Sequence, residues 1–228
     1  MDIVYFCREG VNEEFRYSLR SIKNLPHDKV WVYGGCPSGI HPDTWVSIDQ
    51  VGGTKWDRVK NMFREVCLNK EISEDFILMN DDFFIMEPTE LPLLHREDLP
   101  NHIINIELKY GNRITPYTYR LRECLKLLRD MGKTEYSYEL HIPFVFNKKK
   151  LLKLIEAYPT IHATRSLYGN YYNIGGSHCR DVKVLRGQPD WKDNWAGLFL
   201  STDDESFDEG VGDYIRKAFP EKSEYETN

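Results

Sequence analysis

The chain has 228 residues, 41% of them hydrophobic and 29% charged, with a formal net charge of -6. That length buries a proper core in one large or two small domains, and no linker-like stretch argues for two. Apolar runs stop far short of the ~18 residues of a membrane span, the five cysteines form no CxxC pair and read as reduced thiols, and the segment after Met1 lacks a basic flank and cleavage site, which places the expected location in a cytoplasm.

The charge is unevenly spread. Residues 201–228 hold nine acidic and three basic side chains, which leaves residues 1–200 neutral with 27 of each sign. Within that neutral body, residues 145–192 carry nine Lys and Arg against three Asp and Glu.

Residues 2–7 alternate poorly and read as a central strand buried on both faces, as in a parallel sheet. Asn12 can cap a helix with Glu13 and Glu14 in its first turn and Phe15, Leu19 and Ile22 on its inner face. Arg16 and Arg20 share a neighbouring stripe, and Arg16 reads as a surface charge. Residues 30–33 form a second strand, ended by a turn-rich run, 34–39, able to bring backbone close to a ligand. Residues 45–49 suggest a third strand leading into Gly52 and Gly53. Thr54 and Asp57 then have capping-box spacing for a helix buried through Trp56, Val59, Phe63 and Val66. Lys55, Lys60, Asn61 and Arg64 are polar positions near its start, where an anionic phosphate is welcome.

Residues 75–86 set two acidic residues inside an apolar run. Residues 76–79 read as a buried strand and 83–86 resume it, so the chain breaks at Asp81 and Asp82. Two adjacent carboxylates are hard to bury unpaired. At the carboxyl end of a strand in an open α/β sheet they face the ligand crevice, and a hard divalent cation with phosphate oxygens is their natural partner. The alternative is a tight turn of solvated aspartates.

Further on, residues 103–108 read as a strand. Thr115 and Pro116 start a helix through Leu121, Leu125 and Leu128 that Gly132 stops. Residues 140–146 read as a strand with His141 near its start. Asn147 caps a basic helix (Lys148, Lys149, Lys150, Lys153) closed by Tyr158 and Pro159. Residues 165–178, rich in glycine and polar groups, read as a functional loop. Residues 181–185 suggest a late strand, Ser206 starts a short last helix, and residues 221–228 read as a loosely ordered tail. The order describes an α/β nucleotide-binding half followed by a more mixed half, with donor binding first and acceptor binding second.

These residues carry a resemblance. Asn80-Asp81-Asp82 at a strand end resembles the DxD-type motif of the GT-A superfamily of nucleotide-sugar-dependent transferases, with asparagine in its first position. Asp2-Ile3-Val4-Tyr5, Phe15-Arg16-Tyr17-Ser18-Leu19-Arg20-Ser21-Ile22 and Asn80-Asp81-Asp82-Phe83-Phe84 are similar in order and spacing to the Stealth sugar-phosphate transferases. His141-Ile142-Pro143 is a weaker third match, and Cys7-Arg8-Glu9-Gly10 departs from that group's tryptophan-valine-aspartate-glycine turn. The compact size and Arg165-Ser166-Leu167-Tyr168-Gly169-Asn170 are similar to small bacteriophage glycosyltransferases.

The resemblance implies a single compact α/β domain with a GT-A-like, Rossmann-type mixed sheet flanked by helices. Residues 1–110 would form its donor half, 111–200 its acceptor half and 201–228 an acidic helix and tail. It also implies Mn2+ or Mg2+, a nucleoside-diphosphate sugar donor, UDP-linked first, and a glycan or a modified base in phage DNA as acceptor, in a host cytoplasm if phage-encoded. Asp82 would ligate the metal directly, and Asp81 would meet the ribose, the donor sugar or a metal-bound water. His178 is the candidate distal ligand, against a surface histidine as the alternative. His141 competes as metal ligand or acceptor-site base, against a satisfied core histidine. Arg8 and Tyr33, at the ends of the first two strands, fall where nucleotide contacts belong, with Asn80 beside them. Lys60 and Asn61 would reach the donor sugar or diphosphate, and Arg165 and Tyr168 the acceptor or diphosphate. Tyr168, Tyr171 and Tyr172 within the basic stretch suit stacked bases, against a solvated basic helix as the alternative. Transfer of sugar 1-phosphate and a non-enzymatic binding protein are the rival functions.

Overall fold

Six consecutive buried residues make the first strand the axis of the sheet. The computed structural model describes residues 1–48, 53–188, 190–194 and 197–227. Its strands are β1 (Asp2–Cys7), β2 (Val30–Gly34), β3 (Thr44–Val46), β4 (Asp75–Asn80), β5 (Phe83–Ile85), β6 (Leu94–His95), β7 (Phe144–Asn147), β8 (Ser177–His178), β9 (Lys183–Val184) and β10 (Phe199–Thr202). Its α-helices are α1 (Glu13–Ser21), α2 (Lys55–Leu68), α3 (Leu99–Lys109), α4 (Pro116–Asp130), α5 (Lys148–Ala157), α6 (Thr164–Tyr171), α7 (Asp204–Phe207) and α8 (Gly210–Ala218). The class is α/β, a mixed sheet flanked by helices. Among the described residues no helix is long and apolar enough to cross a membrane.

The chain divides into two compact units. One takes Met1–Leu91, His141–Lys149 and Val182–Asn228, and the other Pro92–Leu140 and Lys150–Asp181. They interleave along the sequence because β7, β9 and β10 return to the first unit.

In the first unit the main sheet has the order β3-β2-β1-β4-β7. The first four strands are parallel, and β7 runs antiparallel to β4. The chain builds outward from β1 to β3 and then crosses back to place β4 on the other side of β1. The strand order therefore reverses between β1 and β4, and such a switch point opens a crevice at the carboxyl ends of the strands. Register sets Phe6 beside Asn80, so the segments after Cys7 and after Asn80 leave the sheet side by side. The expected third strand is confined to Thr44–Val46, with Asp49 and Gly52 outside the described residues.

Local signals explain the helices of this unit. Asn12 accepts from the Phe15 amide at 3.1 Å and caps α1. Thr54 and Asp57 close the expected capping box of α2, although Met62, Phe63 and Val66 rather than Trp56 and Val59 are its buried residues. A smaller sheet of order β5-β10-β9 packs Phe84, Val184 and Leu200 against Phe207, Val211 and Ile215 of the last helices. The last helical region is two helices, with Asp203 rather than Ser206 as the first cap.

The tail is tied down through Thr227, unlike the loosely ordered segment expected over 221–228. Glu226, 1% exposed, takes Arg20 Nε at 2.7 Å, and Arg20 Nη2 donates to its other oxygen at 2.8 Å. Arg16 lies 3.7 Å from the same carboxylate and donates to the Ser38 carbonyl at 2.6 Å, so it is not a plain surface charge. Lys148 also departs from the picture of a solvated basic helix. It is buried, and its ammonium donates to the carbonyls of Asn69 (2.7 Å) and Ile72, closing the end of α2.

Three further corrections concern residues 103–171. Residues 103–108 belong to α3, not to a strand: Asp98 caps it, Pro100 sits in its first turn, and Leu99, His102 and Ile103 are buried at helical spacing. Residues 164–171 are helical, not a loop, because Gly169 lets the Tyr138 ring lie directly against the helix. The strand expected over 140–146 begins only at Phe144, after Pro143, and lies in the first unit. Asn147 ends it, and its amide donates to Asp75 at 2.8 Å. All five cysteines are free.

Candidate active site

The turn that follows β4 lands at the switch point with both carboxylates half-buried. Asp81 accepts from Asn12 Nδ2 at 2.5 Å, with Arg8 Nε and Cys7 Sγ each at 4.0 Å. Burial and then the neighbouring Asp82 push its carboxyl up to about 6, against Arg8 and Asn12, which pull it down. Asp82 accepts from Lys183 Nζ at 2.8 Å through one oxygen, and its side chain is 17% exposed. Its other oxygen, Oδ1, is buried without a hydrogen-bond partner among the described residues. A buried carboxyl oxygen left so in a folded protein is costly.

Three more residues complete the cluster, and the sequence reading named none of them as site residues. Glu14, 5% exposed, accepts from the Thr202 hydroxyl at 2.5 Å and lies 3.8 Å from Arg8 Nη2. Burial and the charges of Asp82, Asp204 and Asp81 raise it to about 8, so it carries a proton at neutral pH. Arg8 Nη1 donates to Asp204 Oδ2 at 2.5 Å, and that bond holds the Asp204 carboxyl below its ordinary range. Burial alone would lower Lys183, but Asp82 outweighs it and keeps the ammonium charged. Four carboxyl groups and two cations thus converge from the ends of β1 and β4, from α1, from β9 and from α7. Capping periodicity marks Glu14 as an ordinary first-turn acid, and only its burial beside Phe15 singles it out. Lys183 and Asp204 lie a hundred residues or more beyond Asp81, with no local signal pairing them to it.

The structure brings Arg8, Asp81 and Asp82 together, with Asn80 half-buried as the last residue of β4. His141, in the same unit, sets its ring edge-on to Phe83 at 6.2 Å. Tyr33 is fully buried, and its hydroxyl accepts from Asn69 at 3.1 Å, at the far end of α2. Lys60 and Asn61 lie in the second turn of α2. Burial lowers the half-buried Lys60 ammonium, and Asn61 is exposed.

His178, Arg165 and Tyr168 belong to the second unit. His178 is exposed on β8, edge-on to His95 at 6.4 Å. Arg165 is buried, donating to the Leu140 carbonyl at 2.6 Å. Tyr168 is buried with its ring 5.0 Å from that of Tyr172, which meets Tyr171 at 4.9 Å. The three tyrosines pack on one another.

Among the described residues no three His, Cys, Asp or Glu are grouped as a metal site. A hard divalent ion of the magnesium type needs less, because it uses one or two carboxylates and completes its shell with water and phosphate oxygens. Asp82 Oδ1, buried and unshared, with the Asp81 carboxylate adjacent, is an all-oxygen donor set of that kind.

No protein-family model and no curated protein matches the chain. Among solved structures it is similar to an active-site mutant of LgtC, at 10% identity and a TM-score of 0.45 over 96% of this chain and 95% of that one. It is similar also to the galactosyltransferase LgtC in complex with donor and acceptor sugar analogues, at 11% identity and a TM-score of 0.44 over 98% of each chain.

Proposed function

We propose that the protein is a glycosyltransferase that binds a nucleoside-diphosphate sugar, with a magnesium or manganese ion, at the switch point of the first unit. The observation that carries the reading is Asp82 Oδ1, buried next to Asp81 where the strand order reverses and unpartnered among the described residues. Asp82 would hold the metal, with Asp81 adjacent to it or to the ribose. When bound, the ion neutralises charge developing on the leaving diphosphate. In the reaction the bond between the sugar C1 and the diphosphate oxygen breaks with its electron pair going to the diphosphate, a bond from an acceptor hydroxyl oxygen to C1 forms, and the hydroxyl proton passes to solvent.

The chain's own residues supply the remaining electrostatics. Lys183 braces Asp82 and brings a positive charge to the edge of the site. Arg8, tied to Asp204, orients the other side and stands within reach of Asp81. Protonated Glu14 lowers the local negative charge and so favours entry of an anionic donor. A UDP-sugar and a glycan hydroxyl are the substrates this reading puts first.

The test is product analysis with purified protein, a panel of nucleoside-diphosphate sugars and manganese. Release of a nucleoside diphosphate supports sugar transfer, whereas a nucleoside monophosphate shows transfer of sugar 1-phosphate instead. Asp82→Asn, which can still accept from Lys183, is expected to lower turnover by more than about a hundredfold with melting temperature retained. Full turnover in that variant would remove Asp82 from the site.

A further inference from the structure

The turn between α3 and α4 presents a concentrated group of apolar side chains to solvent. Eleven large hydrophobic residues are exposed among the described residues, and five of them, Ile104, Leu108, Tyr110, Ile114 and Tyr119, fall within one sixteen-residue stretch. Leu108 is 60% exposed, Ile114 64% and Tyr119 56%. Scattered exposed apolar residues are ordinary, but a concentrated group marks an interaction surface.

The turn is built to hold them outward. Gly111 and Asn112 both adopt left-handed backbone, at φ 68° and 60°. The Asn112 amide closes on the Glu107 carbonyl at 2.7 Å and the Gly111 amide on the Leu108 carbonyl at 3.1 Å. Across the hairpin, Arg122 binds Glu107 through both carboxylate oxygens, at 3.1 and 2.6 Å. The tip is therefore a braced turn carrying Leu108, Tyr110 and Ile114 at its end.

Charge identifies the occupant. Residues 108–122 contain four Lys and Arg and no Asp or Glu, within a chain whose net charge is -6. Arg122 is neutralised by Glu107, and Arg120 holds the Pro116 carbonyl at 2.8 Å. Lys109 and Arg113 are exposed and make no ion pair among the described residues. Aliphatic side chains, two tyrosines and unneutralised cations on one tip match the chemistry of a lipid interface with anionic headgroups.

We propose that the α3–α4 tip docks on an anionic lipid bilayer, inserting Leu108, Tyr110 and Ile114 while Lys109 and Arg113 meet the headgroups. The attachment is peripheral and independent of the glycosyltransferase reading.

Cosedimentation of the full chain with vesicles tests it, using phosphatidylcholine alone and phosphatidylcholine mixed with phosphatidylglycerol. Binding to the mixed vesicles is expected to be at least about tenfold tighter, to weaken as salt is raised and to fall about fivefold for each cation reversed in Lys109→Glu and Arg113→Glu. Ile114→Glu is expected to weaken it as well, and all three exposed-site variants should melt with the parent. Absent binding, equal binding to both vesicles, or unchanged binding in these variants overturns the proposal. So does a dimer in light scattering that Ile114→Glu dissociates, which would assign the tip to a second copy of the chain.

Discussion

Two regions of the molecule place polar side chains in apolar surroundings, and they treat them differently. In the second unit, Asn170 of α6 is buried with every hydrogen-bonding position used: its oxygen accepts from the Thr134 hydroxyl and the Tyr136 amide at 2.8 and 2.9 Å. Its amide donates to the Tyr136 and Ser166 carbonyls, each at 2.7 Å. Ser166 is bound in the same way to Glu139 and to the Tyr138 amide. In the first unit, Asp82 keeps a buried oxygen with no partner among the described residues, and Glu14 is held protonated first by burial and then by the charges of Asp82, Asp204 and Asp81. A satisfied polar residue fixes a fold, whereas an unsatisfied one leaves interaction free energy for a ligand.

The comparison is sharpened most by Asn170→Ala. It leaves several buried backbone groups unpaired and is expected to cost about 3 kcal/mol, or about 6 to 12 °C in melting temperature. Donor binding by the molecules that remain folded should be unaltered, as titration calorimetry below the transition can check.

Glu226→Ala belongs to the same satisfied class. Burial opposes ionisation of Glu226, but the Arg20 hydrogen bonds prevail and hold its carboxyl below the ordinary 4.5. Its contribution is thus present above that pH and fades as pH falls further. The Arg20 guanidinium keeps the Phe219 and Pro220 carbonyls, at 3.0 and 3.3 Å. The loss is therefore expected to be about 2 kcal/mol at neutral pH, below the usual cost of breaking a buried pair. Denaturant melts at neutral and acid pH would show it.

Glu14→Gln should act in the opposite direction. The folded state raises Glu14 from 4.5 to about 8, so it binds a proton that the unfolded chain releases within that interval. The resulting contribution is complete below 4.5 and declines as pH rises toward 8. Relative to the parent, the glutamine variant should be little changed near pH 5 and more stable by on the order of 4 kcal/mol near pH 8.5. Equal pH profiles for the two proteins would mean that Glu14 is ionised in the folded state.

The same contrast explains what was legible in the sequence. Unbroken apolar runs announced β1, β2 and β4, and local caps announced α1, α2 and α4, because both are short-range patterns. The break at Asp81 and Asp82 was visible because charge rarely interrupts a buried strand. The partners of that turn were not visible: Lys183 and Asp204 reach it only through sheet and helix packing of the chain's last fifty residues. Residues 103–108 and 164–171 misled for a related reason. Apolar density without clean alternation suits strand or helix, and a helix whose polar groups are all used internally looks like a loop until its partners are known. The tail misled because acidic composition hides Glu226, a single residue tied to Arg20.

The most direct test of the central claim is a thermal-shift titration of the parent protein and Asp82→Asn against UDP-sugars, with and without manganese. A donor at about 100 times its dissociation constant should stabilise the parent by about 2.7 kcal/mol, or about 5 to 10 °C, only when manganese is present. The account predicts that Asp82→Asn melts with the parent in the absence of donor and loses this shift. An equal shift in the variant, or one that ignores manganese, would contradict the assignment of the unpartnered Asp82 oxygen to a metal-bound donor.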